Sequence, residues 1–483
     1  MKRFAIALIV PALLFSFALG QETKVLSDDA GIASSLRLLE KWVASQMEYR
    51  NQPGISMGIV HDQELLWSKG FGSSDLAAKT PATPKTIYRI ASITKLFTST
   101  AIMQLRDAGK LSLDDPIVKF IPTFKIRNGF PGTPPITVRH LLTHTSGLPG
   151  EAAFPYWTDH NFPSVGEILK ALPTQEIVFP TETKYRYSNL ALALAGEVVA
   201  SASGETYEGY IQKHILEPLR MTDTSVNLSP EYRKRLAAAY SRRLPDGTRR
   251  ILPFTDSRGL TSAANMSSTV EDLAKFISFQ FRDEKAGGKQ VLKGSTLREM
   301  HRVHWLFPSW KSGRGLGFSV RHFEGKTLVG HAGWVAGYQT QIGFIVEDRI
   351  GIIALTNADD GSPNTYLEQA FNVVGPAILR AAAPAPKPST PDPAWNAYLG
   401  LYTDPTFWDV EVMLLDGKLY LYNHDYPPEE NARGALVELS PEGPHTFRMT
   451  GKDASGDLVV FEMGPDGKVQ RVKVGENYIF PKK

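Results

Sequence analysis

"YRIASITKLFTST", residues 88–100, places Ser92 three residues before Lys95 at the start of an apolar segment in which the next charged residue is Arg106. Side chains three residues apart lie on one face of a helix. A lysine in the first turn opposes the helix dipole, and a capping box would have Glu or Gln at that position. Helix stability therefore gives no reason for Lys95.

A serine nucleophile would explain this lysine. Burial in an apolar helix and the positive end of the helix dipole both favour the neutral amine of Lys95, which is able to accept a proton from the hydroxyl of Ser92. Backbone N–H groups at the same helix start are suited to bind an oxyanion. The alternative is that Ser92 only caps the helix, since a Ser-x-x-Lys spacing is also expected by chance in a chain of 483 residues. The spacing alone leaves both interpretations open.

A second candidate nucleophile is Ser56, because residues 54–58 read GISMG and fit the G-x-S-x-G pattern of the α/β-hydrolase nucleophile elbow. That elbow requires a strand, a sharp turn and then a helix. The flanks of Ser56 are apolar on both sides, and another strand-like segment follows. We therefore predict that Ser56 lies inside a strand and is not the nucleophile.

His140 and His144 in the segment RHLLTHTSG have the i, i+4 spacing of a zinc-binding pair. No Glu follows His140, no third ligand is evident nearby, and Thr-Ser-Gly is typical of a helix end. The sequence favours a helix-terminating or core-packing role for both histidines over a metal site. We predict no metal and no organic cofactor.

Two further segments place polar groups beside predicted elements. Tyr187 and Asn189 precede the apolar helix that begins at residue 190, although a helix cap by Asn189 or its neighbour Ser188 is the simpler interpretation. His331 lies two residues before Gly333 on a predicted strand, where a glycine would let a substrate backbone come close.

The order of the predicted elements indicates an α+β fold. Residues 31–48 have the apolar spacing of an amphipathic helix, and residues 54–72 read as two strands joined by a polar turn. A mostly helical middle follows, in which Thr269 is placed to cap a helix, and strand signals return from about residue 316. Strands at both ends with helices between them predict one antiparallel sheet assembled from the two ends of a single domain.

Composition suggests a second, smaller domain and an exported chain. Residues 381–393, rich in Pro and Ala, predict a stiff linker between a domain at 21–380 and a small all-β domain at 394–483, a meander or barrel. Residues 1–20 have the basic start, apolar run and small residues of a signal peptide cleaved after Gly20, which predicts a periplasmic or secreted protein with no membrane span in the mature chain. The absence of cysteine excludes disulfides and a thiol nucleophile, and a net charge of +3 gives no indication of a nucleic-acid partner.

Taken in order, Ser92-x-x-Lys95, Tyr187-x-Asn189 and His331-x-Gly333 resemble the three-motif set of the serine β-lactamase and penicillin-binding protein superfamily. The similarity is greatest to the class C β-lactamase branch, with its D-aminopeptidases, D,D-carboxypeptidases and esterases. It extends over about residues 30–380, including the connecting segments 109–122, 136–149, 185–199 and 330–357. The resemblance implies a β-lactamase/transpeptidase-like α+β fold: an antiparallel sheet flanked by helices, a helical subdomain and a cleft between them.

The resemblance also implies a role for each motif residue. Ser92 would be the acylated nucleophile, Lys95 would activate it, and Tyr187 would carry protons to the leaving group and from the deacylating water. Asn189 would bind a substrate amide, and the backbone N–H groups of Ser92 and Trp334 would form the oxyanion hole.

One departure from the family pattern concerns the substrate. Many β-lactamases have Lys-Thr-Gly where this chain has residues 331–333, His-Ala-Gly. A lysine offers a permanent cation to a substrate carboxylate, whereas a histidine is mostly neutral at pH 7 and offers a hydrogen bond. We therefore predict an exported serine hydrolase that cleaves a small ester, an amide or a D-amino-acid-containing peptide, with a small-molecule or peptide substrate and a possible homo-oligomeric state. The alternatives are a β-lactamase and a catalytically silent binding protein of the same fold.

Overall fold

The computed structural model describes residues 26–282, 290–383, 392–406, 408–415, 417–423, 436–451 and 454–482. The chain divides into two compact units at residues 382 and 383. The predicted signal peptide, residues 1–20, and residues 384–391 of the predicted linker lie outside the described residues.

The first unit is built on a nine-stranded antiparallel sheet. Its strands and a separate two-stranded ribbon are, in chain order, β1 Gly54–His61, β2 Glu64–Asp75, β3 Thr80–Pro81, β4 Tyr88–Arg89, β5 Ser267–Ser268, β6 Trp305–Leu306, β7 Ser312–Arg314, β8 Ser319–Phe323, β9 Lys326–Val335, β10 Tyr338–Ile345 and β11 Ile350–Thr356. The sheet order is β3-β2-β1-β11-β10-β9-β8-β7-β6, and β4 pairs with β5.

The centre of the sheet joins the two ends of this unit. Strand β1 lies between β2 and β11, and its register with β11 places Ile55 opposite Thr356. Turns that contain residues 324–325 and 347–348 connect β8 to β9 and β10 to β11. The predicted antiparallel sheet assembled from both ends of the domain is therefore confirmed.

Helices cover both faces of the sheet. They are α1 Ala30–Arg50, α2 Thr94–Asp107, α3 Val138–Thr143, α4 Tyr156–Asp159, α5 Val165–Ala171, α6 Asn189–Ser203, α7 Tyr207–Ile211, α8 Pro230–Arg233, α9 Thr261–Ala264, α10 Val270–Gln280, α11 Gly294–His301 and α12 Pro363–Ala382. Shorter 3-10 turns span Leu26–Asp28, Ala91–Ile93, Ile117–Lys119, Leu172–Thr174 and Arg258–Leu260, and a π-helical turn spans Gln212–Leu216.

Two hydrophobic cores separate along the faces of the sheet. One core contains the buried face of α1, including Leu39 and Val43, packed with α12 against the sheet. The larger core contains α2, α6 and α10. As predicted, Thr269 caps α10, where its hydroxyl accepts a hydrogen bond from the backbone N–H of Asp272 at 3.2 Å. The larger, mostly helical core thus lies against one face of the sheet, and a cleft lies at their boundary.

The second unit is a closed barrel of eight antiparallel strands, each paired with its neighbours in the chain. A 3-10 turn, Pro393–Tyr398, precedes β12 Gly400–Thr403, β13 Asp409–Leu415, β14 Lys418–Asn423, β15 Leu436–Gly443, β16 Thr446–Thr450, β17 Leu458–Met463, β18 Val469–Val474 and β19 Asn477–Pro481. Side chains fill its interior, where the ring of Tyr398 stacks on Phe461 with centroids 4.3 Å apart. The predicted all-β C-terminal domain is confirmed, and closure leaves the sheet without open edges.

Among the described helices, none has both the length and the apolar character needed to cross a lipid bilayer.

Candidate active site

The side chains of Ser92, Lys95 and Tyr187 meet at one point of the cleft. The ammonium Nζ of Lys95 lies 3.0 Å from Ser92 Oγ, and the phenol of Tyr187 donates a hydrogen bond to the same oxygen at 2.9 Å. Lys95 and Tyr187 lie far apart in the chain. The fold therefore brings two of the predicted motifs onto a single hydroxyl.

Lys95 is fully buried, and no carboxylate of the described residues is its direct partner. Its Nζ donates to Ser92 and also to the side-chain oxygen of Asn189, at 2.8 Å, and to the carbonyl of Ala263, at 2.9 Å. Burial lowers the pKa of Lys95 from 10.5 to about 7, the negative charge of Glu151 opposes this shift, and the positive charge of Arg314 adds to it. At neutral pH a large fraction of Lys95 is an uncharged amine, which is the form that accepts a proton.

The backbone around Ser92 holds the hydroxyl away from the helix end. Ser92 lies in the 3-10 turn before α2, and its side chain makes no capping hydrogen bond. Ala91 has φ of 45°, a left-handed conformation that is unfavourable for a residue with a Cβ. The helix-cap interpretation of Ser92 is therefore wrong, and the turn directs its hydroxyl to Lys95 and Tyr187.

The ring of His144 packs against the ring of Tyr187. Their rings lie 4.5 Å apart, and His144 Nδ1 accepts a hydrogen bond from the backbone N–H of Ser188. The hydroxyl of Ser188 in turn caps α6 by accepting from the backbone N–H of Ala191 at 2.9 Å. Burial raises the pKa of Tyr187 to about 12, so its phenol keeps its proton at neutral pH.

Asn189 connects Lys95 to a residue that the sequence analysis missed. Its side-chain oxygen accepts from Lys95, and its amide nitrogen donates to Glu151 Oε1 at 2.7 Å. The other carboxylate oxygen of Glu151 accepts a hydrogen bond from the phenol of Tyr156. Glu151 belongs to no recognisable motif, since it lies in the loop after α3 and reaches the site only through the fold.

His331 is buried beside the cleft as a neutral imidazole. Its Nδ1 donates to the carbonyl of Ala332 at 2.6 Å, while its buried Nε2 has no hydrogen-bond partner. Burial lowers the pKa of His331 to about 3, with the positive charges of Arg314 and Lys95 acting in the same direction. A substrate carboxylate therefore meets no permanent cation at this position.

Gly333 is required for a different reason from the predicted one. A Cβ at this position would lie 2.2 Å from the carbonyl oxygen of Ile90 and 2.3 Å from the hydroxyl of Thr340. The space that we expected to admit a substrate backbone is therefore filled by the protein's own chain, two residues before Ser92. The glycine lets β9 approach the segment that carries Ser92.

Strand β9 has an open edge at the cleft. Its pairing with β8 ends at Gly330, so residues 331–335 pair only with β10 among the described strands. Backbone groups on such an edge are available to a ligand. Trp334 lies on this edge with half of its side chain exposed, and its ring is 5.8 Å from that of Trp157.

The cleft has a volume of about 650 Å³. Six of the predicted site residues line the cleft, namely Ser92, Tyr187, Asn189, His331, Gly333 and Trp334. Lys95 does not line the cleft and lies behind Ser92. Arg314 on β7 lines it as well, and no sequence motif identified this residue.

The competing interpretations of two other motifs are resolved by their surroundings. Ser56 is buried in β1, as predicted, and its hydroxyl hydrogen-bonds the carbonyl of Thr83 and the phenol of Tyr88. His140 Nδ1 accepts from the backbone N–H at the start of α3, and His144 ends that helix. Among the described residues, no group of three His, Asp or Glu side chains is arranged to hold a metal ion.

Comparison with known proteins identifies the fold family. The model of the Beta-lactamase family matches residues 39–371. The chain belongs to the Beta-lactamase family. It is therefore part of the superfamily of serine β-lactamases and penicillin-binding proteins, whose members are serine hydrolases and acyltransferases.

Relatives of this family occur in bacteria and in eukaryotes. "Penicillin-binding protein 4*" of Bacillus subtilis is 24% identical over 85% of this chain and 93% of its own length. "Beta-lactamase-like protein 2" of Dictyostelium discoideum is 27% identical over 76% of this chain and 68% of its own. "Protein flp" of Staphylococcus aureus is 31% identical over about half of each chain, 51% and 49%.

A solved structure matches almost the full chain. It is the octameric penicillin-binding protein homologue from Pyrococcus abyssi, with a TM-score of 0.60, 28% sequence identity, and coverage of 92% of this chain and 100% of that one. The predicted β-lactamase/transpeptidase-like fold is confirmed.

Proposed function

We propose that the protein is an exported serine hydrolase that cleaves a small ester, an amide or a D-amino-acid-containing peptide through an acyl-enzyme on Ser92. The observation that carries this proposal is the convergence of Lys95 Nζ and the Tyr187 phenol on Ser92 Oγ, at 3.0 and 2.9 Å. A nucleophile paired with a base of pKa near the working pH is the arrangement that activates a weak hydroxyl.

In the first half of the reaction, the neutral amine of Lys95 takes the proton of Ser92, and Oγ forms a bond to the substrate carbonyl carbon. The carbonyl becomes an oxyanion, which the backbone N–H groups of Ser92 and Trp334 stabilise. Tyr187 gives its proton to the leaving group as the scissile bond breaks, and the proton taken up by Lys95 then restores the phenol of Tyr187. The ester on Ser92 remains.

In the second half, a water attacks the acyl carbon, and Tyr187 with Lys95 receives its proton. The bond to Ser92 Oγ then breaks, Oγ regains a proton, and the carboxylic acid product leaves. Asn189 already donates to Glu151, and its second amide hydrogen is free to orient a substrate carbonyl.

Labelling with a serine-directed fluorophosphonate tests the nucleophile. We expect one adduct on Ser92 by intact mass and peptide mapping, no adduct in Ser92→Ala, and a full adduct in Ser56→Ala. Ser56→Ala is the matched control, because its hydroxyl is buried against Thr83 and Tyr88. An unlabelled protein, or an adduct on Ser56, would contradict the proposal.

A hydrolysis panel of nitrocefin, p-nitrophenyl esters, and D- and L-amino-acid p-nitroanilides tests the substrate. The buried neutral His331, in place of a lysine, supports esters and peptides over β-lactams. Hydrolysis of nitrocefin far above the rates on the other compounds would instead assign the β-lactamase activity that the sequence left as the alternative.

The proposal also includes export of the protein and its assembly into a homo-oligomer. Export rests on the basic and apolar character of residues 1–20. A homo-oligomer is suggested by the octameric state named for the Pyrococcus abyssi homologue. Mass determination of the mature N-terminus and light scattering of the purified protein test these two points.

A further inference from the structure

The cleft beside Ser92 carries two charged side chains of opposite sign. Among its lining residues, Glu151 and Arg314 are the ones with a formal charge at neutral pH, because His331 is neutral and Lys95 lies behind the nucleophile. They come from different walls: Glu151 is bonded to residues of α4 and α6, whereas Arg314 belongs to β7 of the sheet.

Neither charge has a direct ion-pair partner among the residues that the structure describes. Glu151 accepts hydrogen bonds from the neutral groups of Asn189 and Tyr156, and no described cation lies in an ion pair with it. Arg314 donates hydrogen bonds to the neutral side chains of Ser319 and Tyr185, faces the rings of Tyr185 and Tyr187, and has a buried Nε without a partner.

Charges left without counter-ions in a cleft are costly to desolvate, so a ligand that brings the opposite charges recovers that cost. Arg314 offers a planar set of N–H donors, which matches a carboxylate. The spare lone pairs of Glu151 match an ammonium group.

Building on the proposed hydrolase activity, we propose that Glu151 and Arg314 select a zwitterionic substrate, an unblocked short peptide or depsipeptide with a free amino group in its acyl half and a free carboxylate in its leaving half. The guanidinium of Arg314 lies 5.8 Å from the ring centroid of Tyr187, the residue that protonates the leaving group, which assigns the carboxylate to the leaving half. Glu151 lies on the other wall of the cleft from Arg314, hydrogen-bonded to Asn189, which assigns the amino group to the acyl half.

The test uses the depsipeptide alanyl-lactate, in which the scissile ester joins the alanine carbonyl to the lactate oxygen. All four stereoisomers are prepared, each with a free or acetylated amine and a free or amidated lactate carboxyl group. Product is measured by mass spectrometry after subtraction of spontaneous hydrolysis. For the stereoisomer that is cleaved, kcat/KM should be about tenfold to hundredfold higher with the free carboxylate than with the amide, and likewise with the free amine than with the acetyl group.

The variants separate the two contacts. Arg314→Gln should bring the carboxylate-to-amide ratio close to one and leave the amine-to-acetyl ratio high, and Glu151→Gln should do the reverse. Lys311→Gln and Glu176→Gln change exposed charges that do not line the cleft, and both should keep the wild-type ratios.

The inference is overturned if the variants keep the wild-type ratios, or if the control variants change them as much. It is also overturned if Glu151→Gln lowers equally the rates on all four end-group derivatives of the cleaved stereoisomer, since the carboxylate would then act only through Asn189 and Lys95. Fluorophosphonate labelling of Ser92 in wild-type protein is measured in parallel: labelling without charge selection refutes this inference alone, whereas no labelling refutes the proposed hydrolase.

Discussion

Phosphonylation of Ser92 by a fluorophosphonate should accelerate with pH through about 7 and level off above it. The reason is that Lys95 accepts the serine proton only as a neutral amine, and burial lowers its pKa from 10.5 to about 7. Below pH 7 the ammonium dominates and the reaction slows about tenfold for each unit of pH.

The size of the effect follows from the two pKa values. At pH 7 a lysine with a pKa of 10.5 is neutral in about 0.03% of molecules, whereas a lysine with a pKa of about 7 is neutral in about half of them. Burial of Lys95 therefore raises the population of the active base about a thousandfold at neutral pH. Removal of the base altogether should slow this labelling by a factor of about 10² to 10⁴.

The assay is the second-order rate constant of labelling between pH 5 and 9.5, followed by intact mass, for wild-type protein and for Lys95→Met. Methionine keeps the length and apolar stem of the side chain but has no proton-accepting amine. A wild-type inflection above pH 9 would mean that Lys95 stays charged in the folded protein. The same inflection near pH 7 in Lys95→Met would mean that another group is the base.

Three further substitutions have distinct outcomes. Tyr187→Phe should reduce steady-state ester or peptide turnover by about 10² to 10⁴ while thermal unfolding stays close to wild type, and undiminished turnover would remove the phenol from the mechanism. Gly333→Ala would place a Cβ 2.2 Å from the carbonyl oxygen of Ile90. We expect a loss of about 1–3 kcal/mol in the free energy of unfolding and slower labelling of Ser92. A variant equal to wild type in both measurements would show that β9 can shift. Ser56→Ala should keep full activity and lose about 1–2 kcal/mol in urea denaturation, because a buried hydrogen-bonded hydroxyl is removed; a larger activity loss than stability loss would reopen Ser56 as a functional residue.

The features that sequence could predict are those encoded locally. Polar turns such as Glu324-Gly325 separate apolar runs, so the hairpins of the sheet were predictable, and Thr269 identified a helix start from its cap position alone. Ser92 and Lys95 stood out because a cation at a helix start has no stabilising role.

The features that sequence could not predict depend on contacts between distant segments. Glu151 lies on a loop and Arg314 on a short strand, and their meeting in one cleft follows from the packing of helices against the sheet. Gly333 was predicted as a site residue from its place after His331, but the partner that requires a glycine there, the carbonyl of Ile90, lies far away in the chain. Backbone approach of that kind leaves no local pattern.

The pairing of β1 with β11 has a consequence for how the chain is made. Seven residues of β1 are buried, and their pairing partners on one side lie within residues 350–356. A growing chain has synthesised α1 to α11, and with them Ser92 and Tyr187, before that partner strand exists. Contacts so distant in sequence form slowly and late, so a product that ends before residue 350 keeps an unpaired apolar strand exposed. Chaperones should therefore hold this protein until the last strand of the sheet is complete.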